Sequence, residues 1–227
     1  MRERTTKMLN GQNSIDLNST NIFDIQRTMR AMRRLKPDPV PDKLIAQILE
    51  AGVSAPNGGN SQNWRFLVVK DPKIKATIQP YYKRAYYEVQ KPRHDAQKPK
   101  DPGPALEQHM RNEAAIEYLT DHFHEAPVWI VACAKGADSA SASAGASIYP
   151  AVQNMLLAAR ALGLGATLTA RHIAFREEVE ALLGLPDDVT SFAIIPIGYP
   201  VGNFGPTRRA PLSHVVVVDT WDNPWPG

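Results

Sequence analysis

The segment Pro127 to Ala134 reads PVWIVACA, a run with no charged residue. Trp64 to Val69 (WRFLVV) and Phe192 to Ile197 (FAIIPI) are largely apolar and shorter still. Runs of this length bounded by polar or turn residues predict buried strands, since a buried helix needs a longer segment. The chain between them carries helical spacing in stretches of unequal length. Helices therefore outnumber strands, and the chain is expected to form one mixed helix and sheet domain. Pattern alone leaves the relative directions of the strands open.

The helical stretches can be placed from their apolar periods and end signals. Ile22, Ile25, Met29 and Met32 recur at helical spacing, and the Lys36-Pro37-Asp38-Pro39-Val40-Pro41 stretch must end that helix. Asp42 is expected to cap a helix carrying Leu44, Ile45, Ile48 and Leu49, and Asp71-Pro72 to start one carrying Ile74 and Ile78. Helix is also expected from Ala105 to Leu119, Tyr149 to Leu162 and Phe175 to Leu183, the last closed by Gly184. Pro80 to Pro104 is rich in Tyr, Lys and Pro, shows no sustained period, and reads as a lid or excursion. Ala137 to Ser147 reads as a loop, residues 1–20 as a flexible tail, and the VVVV run at 215–218 as a final strand.

Composition narrows the function classes. A net charge of +3 and a pI near 9.0 are a mild basic excess, not gathered into an aromatic-laced block. That argues against a nucleic-acid partner and for a small anionic ligand. No apolar stretch is long enough to cross a bilayer, and the polar N-terminus is unlike a secretory signal, so a cytoplasmic protein is expected. Cys133 is the single cysteine and lies within an apolar run, where a small core residue is expected, not a nucleophile.

Several apparent motifs fail on context. Gly163-Leu164-Gly165 follows a helix, lacks a third glycine at fingerprint spacing, and reads as a helix stop. His122 and His124 have no cysteine or carboxylate set to complete a metal site. With no serine elbow and no phosphate loop, a cofactor is expected to carry any chemistry. Three features remain. Arg30-Ala31-Met32-Arg33-Arg34 places two guanidinium groups three residues apart, on one side of the expected helix. The loop Ser54 to Trp64 (SAPNGGNSQNW) offers glycine backbone and asparagine amides to a ligand. Arg208 and Arg209 are held between Pro206 and Pro211. Each alone has an ordinary structural explanation. Together they suit the phosphate and ring of a flavin.

In that order and spacing, TMRAMRRLKPDPVPDKLIAQILEAGVSAPNGGNSQNWRFLVVKDP, SIYPAVQNMLLAARALGLGATL and FAIIPIGYPVGNFGPTRRAPL resemble the nitroreductase family of flavin enzymes. The resemblance spans nearly all of the chain after Asn21 and is thinnest from Pro80 to Pro127. It implies a single FMN-binding domain from residue 21 to 227 with an α+β, nitroreductase-like fold, whose central, mostly antiparallel sheet is flanked by helices. It also implies an intertwined homodimer with FMN at the subunit interface, and residues 212–227 as an arm wrapping the partner. By the same resemblance Arg30, Arg208 and Arg209 would hold the FMN phosphate, with Ala31 beside them. Arg33 would sit at the pyrimidine edge and tune the ring electrostatically. Pro56, Asn57, Gly58 and Asn60 would approach from the other subunit, and Leu168 and Thr169 would lie near N5. Two differences from the usual family pattern stand out: Met29-Arg30-Ala31 where Arg-Arg-Ser is common, and Asn57 and Asn63 where Ser and Pro are common.

The implied activity is transfer of hydride from NADH or NADPH, through FMN, to a nitroaromatic, quinone or related conjugated acceptor. Two alternatives stay open: a flavin-binding or sensing protein without turnover, and a specialised flavin reaction such as reductive dehalogenation.

Overall fold

The computed structural model describes residues 19–136 and 142–226. Most of the expected N-terminal tail, residues 1–18, lies outside the described residues, as do 137–141 of the expected loop. Among the described residues four strands form one sheet in the order β1-β2-β4-β3, with every pairing antiparallel: β1 Trp64–Val69, β2 Val128–Lys135, β3 Gly165–Ala166 and β4 Val189–Gly198. The α+β class and the antiparallel sheet agree with the sequence reading.

Why PVWIVACA carries no polar face follows from its place in the middle of this sheet. Val128, Ile130, Ala132 and Ala134 point to one side and join a core with Ile45 and Ile48 of α2 (Asp42–Val53) and Val152, Met155 and Ala159 of α6 (Ala142–Ala161). Trp129, Val131 and Cys133 point to the other side, against α3 (Pro72–Arg84), α5 (Pro104–His122) and α7 (Arg176–Leu183). A strand covered on both faces reads as a continuous apolar run, because successive side chains alternate between two cores. Tyr82, Phe123 and Trp129 stack in series in the second core, with centroids 3.8 and 4.2 Å apart.

Four local expectations are corrected. The first helix, α1, is Ile22–Thr28; Met29 is already extended, so Arg30 and Arg33 lie on extended chain and share no helical face. The reason is a better partner for the backbone: Met32 N–H donates to Ala166 O at 3.0 Å, and Leu35 bridges Pro200. Pro80 to Ala96 is helical, and only residues 97–103 lack regular structure. Pro80 lies inside α3, which runs on through a π-helical stretch, Ala85–Gln90, into α4 (Lys91–Ala96). Residues 142–147 open α6 instead of continuing a loop. The VVVV run is no strand of the sheet; a short 3-10 turn, Leu212–His214, precedes it and Val217 bridges Pro224.

The two ends of the sheet lie far apart, and each carries candidate site residues. At one end β2 finishes as β4 begins, with Lys135 opposite Val189. At the other, β3 pairs Gly165 with Gly198, and Val201 N–H donates to Arg34 O at 3.0 Å. The ten residues of β4 separate these ends by about 30 Å. Close approach holds the second end together: a Cβ on Gly165 would lie 2.9 Å from Leu35 Cδ2 and from Met32 Cβ.

Candidate cofactor site

Arg30 and the Arg208-Arg209 pair, far apart in sequence, line one cavity of about 1020 Å³. Thr207 brings them together: its N–H and hydroxyl both donate to the Arg27 carbonyl, at 2.9 and 3.2 Å. Gly205, Pro206, Gln108, Asn112 and Arg111 complete much of the wall, and among the described residues no carboxylate lines it. A cavity walled by guanidinium groups and amides with no internal counter-charge suits a phosphate dianion. Arg111 was not anticipated; it sits on α5 and pairs with Glu107, so in sequence it reads as an ordinary helical ion pair.

Arg33 lies deeper. It is half-buried, and among the described residues it has no carboxylate partner. Burial lowers its proton affinity first, and the nearby cation Arg171 lowers it further. Arg171 is fixed by a hydrogen bond to Thr120 Oγ1 and stands over the rings of Tyr82 and Tyr86, 5.1 and 4.7 Å from their centroids. Tyr82 OH meets Thr169 Oγ1 at 3.0 Å. Thr169 is set by two backbone hydrogen bonds to Ile194, while Leu168 beside it is partly exposed. Arg33, Thr169, Tyr82 and Arg171 thus form one neighbourhood, with Ala31 half-buried on the same extended segment as Arg33. No sequence motif pointed to Arg171, and Tyr82 was visible only as part of the Tyr-rich Pro80 to Pro104 stretch read as a lid.

The loop at Pro56 to Asn60 is elsewhere. Lys135 N–H donates to Asn63 O at 2.8 Å, which ties the loop to the far end of the sheet. Gly58 N–H donates to Ser147 Oγ at 3.2 Å, near the start of α6, whereas Arg160 near its end donates to Thr28 Oγ1 at 3.0 Å. The 13-residue separation of Ser147 and Arg160 along α6 accounts for about 20 Å between the two places. The amide-rich composition has a local cause. Gly59, Asn60 and Gln62 have φ of 59°, 51° and 48°, and Asn57 Oδ1 accepts from Gln62 N–H at 2.9 Å. Asparagine and glycine tolerate that left-handed backbone. Pro56, Gly58 and Asn60 remain exposed.

A second polar cluster looks catalytic and is not. Glu180 Oε1 accepts from Ser191 Oγ at 2.6 Å, and Ser191 Oγ meets His172 Nε2 at 2.9 Å. Ser191 donates its proton to the carboxylate, so histidine cannot act as its base, and both residues are fully enclosed. Burial, reinforced by the cation Arg176, pushes His172 down to about 4. Its folded value is depressed below the ordinary 6.5, so protons bind the unfolded chain first as pH falls. Stability should fall by on the order of 3 kcal/mol between pH 6.5 and 4 from this residue alone. Denaturant midpoints across that range should drop less steeply for His172→Gln than for the unsubstituted protein; parallel profiles would refute the assignment. His122 pairs with Glu125, and among the described residues no group of three metal-ligating side chains occurs. No described helix is long and apolar enough to cross a membrane.

The model of the Nitroreductase family matches residues 27–199. A Thermus thermophilus NADH dehydrogenase is 29% identical over 201 residues, covering 83% of this chain and 91% of that protein. An iodotyrosine deiodinase of Thermotoga neapolitana is 28% identical over 199 residues, covering 86% and 96%. The crystal structure of an oxidised iodotyrosine deiodinase bound to FMN and 3-iodo-L-tyrosine superposes with a TM-score of 0.70 at 26% identity, covering 88% of this chain and all (100%) of that one.

Proposed function

Because the chain belongs to the nitroreductase family and is a flavoprotein oxidoreductase by that membership, we propose that it binds FMN and uses NADH or NADPH to reduce a conjugated acceptor such as a nitroaromatic or quinone. The observation that carries this reading is the convergence of Arg30, Arg208 and Arg209 on a carboxylate-free cavity, with Arg33 unpaired nearby. FMN, when bound, supplies the two-electron chemistry between nucleotide and acceptor. Arg30, Arg208 and Arg209 would hold its phosphate. Arg33 would present a desolvated cation to the ring, and its low-dielectric setting would strengthen the stabilisation of negative charge there. The Thr169 backbone is fixed by the Ile194 pairing, and its hydroxyl is held by Tyr82, so neither reorganises during turnover.

The site as proposed needs a second copy of the chain. Pro56, Asn57, Gly58 and Asn60 lie at the opposite end of the sheet from the arginines, too far to close over the same cofactor. A homodimer would bring one protomer's loop to the other's arginines. The C-terminal segment supports this: Trp221, Val215 and Leu212 are 86%, 70% and 66% exposed, apolar surface that suits a partner better than water. The α3-α4 helix bearing Tyr81 to Tyr87 is the proposed cover of the acceptor site, and the protein is proposed to be soluble in the cytoplasm.

The purified protein should show a flavin spectrum, or gain one on addition of FMN, and rapid mixing with NADH or NADPH should bleach it. Absence of flavin and failure to take it up would remove the proposal. Bound flavin bleached by neither nucleotide would leave a flavin-binding protein without turnover. The likeness to iodotyrosine deiodinases favours a second reading, reductive dehalogenation of a halogenated phenol. Halide release from reduced protein, with no consumption of nitroaromatics, would select it.

A further inference from the structure

We propose that Arg171, with Tyr86, makes this site select acceptors that carry an anionic group, aromatic carboxylates in particular. The inference rests on the flavin reading for its setting, and it concerns the charge that flavin leaves unspent. Arg30, Arg208 and Arg209 answer the phosphate, and Arg33 answers the ring. Arg171 is then a further cation in the same neighbourhood, close enough to Arg33 to lower its proton affinity.

Nothing in the described chain neutralises Arg171. Its partners are the Thr120 hydroxyl and the faces of Tyr82 and Tyr86, all uncharged, and no carboxylate pairs with it. A guanidinium group held half-buried against two rings and repelled by another cation is costly unless an anion joins it. The Thr120 hydrogen bond and the two rings hold the group in place, so little freedom is lost when a carboxylate meets its fork.

Tyr86 is the independent second observation. Its side chain is fully enclosed, 0% exposed, yet among the described residues its hydroxyl has no hydrogen-bond partner. Buried hydroxyls are nearly always satisfied, so an orphan beside an unneutralised cation points to a missing acceptor group. Burial, and then Glu117, hold the Tyr86 proton on, so the hydroxyl can only gain by donating. The carboxylates of Glu113 and Glu117 do not cancel the site, because Lys91 binds both, at 2.8 and 3.0 Å. A carboxylate ligand would accept from both Arg171 and Tyr86. A neutral isostere would leave the cation unpaired.

The test compares benzoate with benzyl alcohol by calorimetric titration of the purified protein. Phosphate buffer keeps the other arginine cluster occupied whether or not flavin is retained. Benzoate should bind at least tenfold tighter than the alcohol, with a preference that weakens as salt rises. Arg171→Gln should abolish the preference, Arg171→Lys should keep part of it, and Tyr86→Phe should reduce it several-fold. In turnover, the ratio of kcat/KM for 4-nitrobenzoate over 4-nitrobenzyl alcohol should collapse in Arg171→Gln through KM. Equal affinity for the two probes, or a preference that survives Arg171→Gln, overturns the inference. Reduction of both nitro compounds without discrimination would refute it while leaving the proposed function intact. Absence of turnover with discrimination in the titration would do the reverse. Should Arg171→Gln fail to fold, the Lys and Phe variants carry the same comparison.

Discussion

Arg33→Ala is expected to slow reduction of bound flavin by about a hundredfold or more while FMN affinity changes by only a few-fold. The guanidinium is half-buried, desolvated and unpaired, so its charge acts through a poorly screened environment. It would matter little to an oxidised, neutral ring and much more to a reduced, anionic one. Removing an interaction of that kind costs rate more than binding. Stopped-flow reduction by NADH or NADPH, set beside an FMN titration, measures both quantities on one preparation. The shift should also appear without turnover, as a lower reduction potential of the bound flavin. A large loss of FMN affinity with an unchanged reduction rate would place Arg33 at the phosphate instead.

Arg209→Ala should show the opposite pattern: FMN bound about tenfold to a hundredfold more weakly, and near-normal reduction of whatever remains bound. Arg209 is exposed, donates to the Arg208 carbonyl at 2.9 Å, and belongs to a loop anchored by Thr207 on Arg27. Its charge faces a group that does not change during reduction, so binding and not rate carries the effect. Arg208 remains in the variant, and raised ionic strength should weaken the FMN complex of the unsubstituted protein as well. If Arg33→Ala and Arg209→Ala affect binding alone and to the same degree, the division of roles between them is wrong.

What the sequence disclosed, and what it hid, has a physical pattern. Trp64–Val69 was legible to the residue, because an apolar run between an amide-rich loop and Lys70-Asp71-Pro72 leaves no other reading. The extent of α1 was not. Met29 and Met32 continue the helical spacing of Ile22 and Ile25, but Met32 is buried by pairing with Ala166, a contact 134 residues away in sequence. Periodicity registers burial and cannot say which neighbour provides it. The helical course of Pro80 to Ala96 was hidden for a different reason. A π-helical stretch takes more residues per turn, so the apolar positions on either side of Ala85–Gln90 fall out of phase and no single period survives. The arginines were visible as residues and not as a constellation. Only the Thr207 anchor shows that residues 30 and 209 share a cavity, and only the third dimension sets Arg171 beside Arg33.

Cys133 carries a practical consequence. It is the chain's one thiol, it is enclosed in the second core, and burial pushes it up to about 12. The protein therefore starts as a chemical blank toward maleimides and iodoacetamides. A single cysteine introduced at Ser213, in the exposed segment ahead of the tail, would be the only site to react. One fluorophore or spin label could then follow that segment through assembly, and the unsubstituted protein would supply its own background measurement.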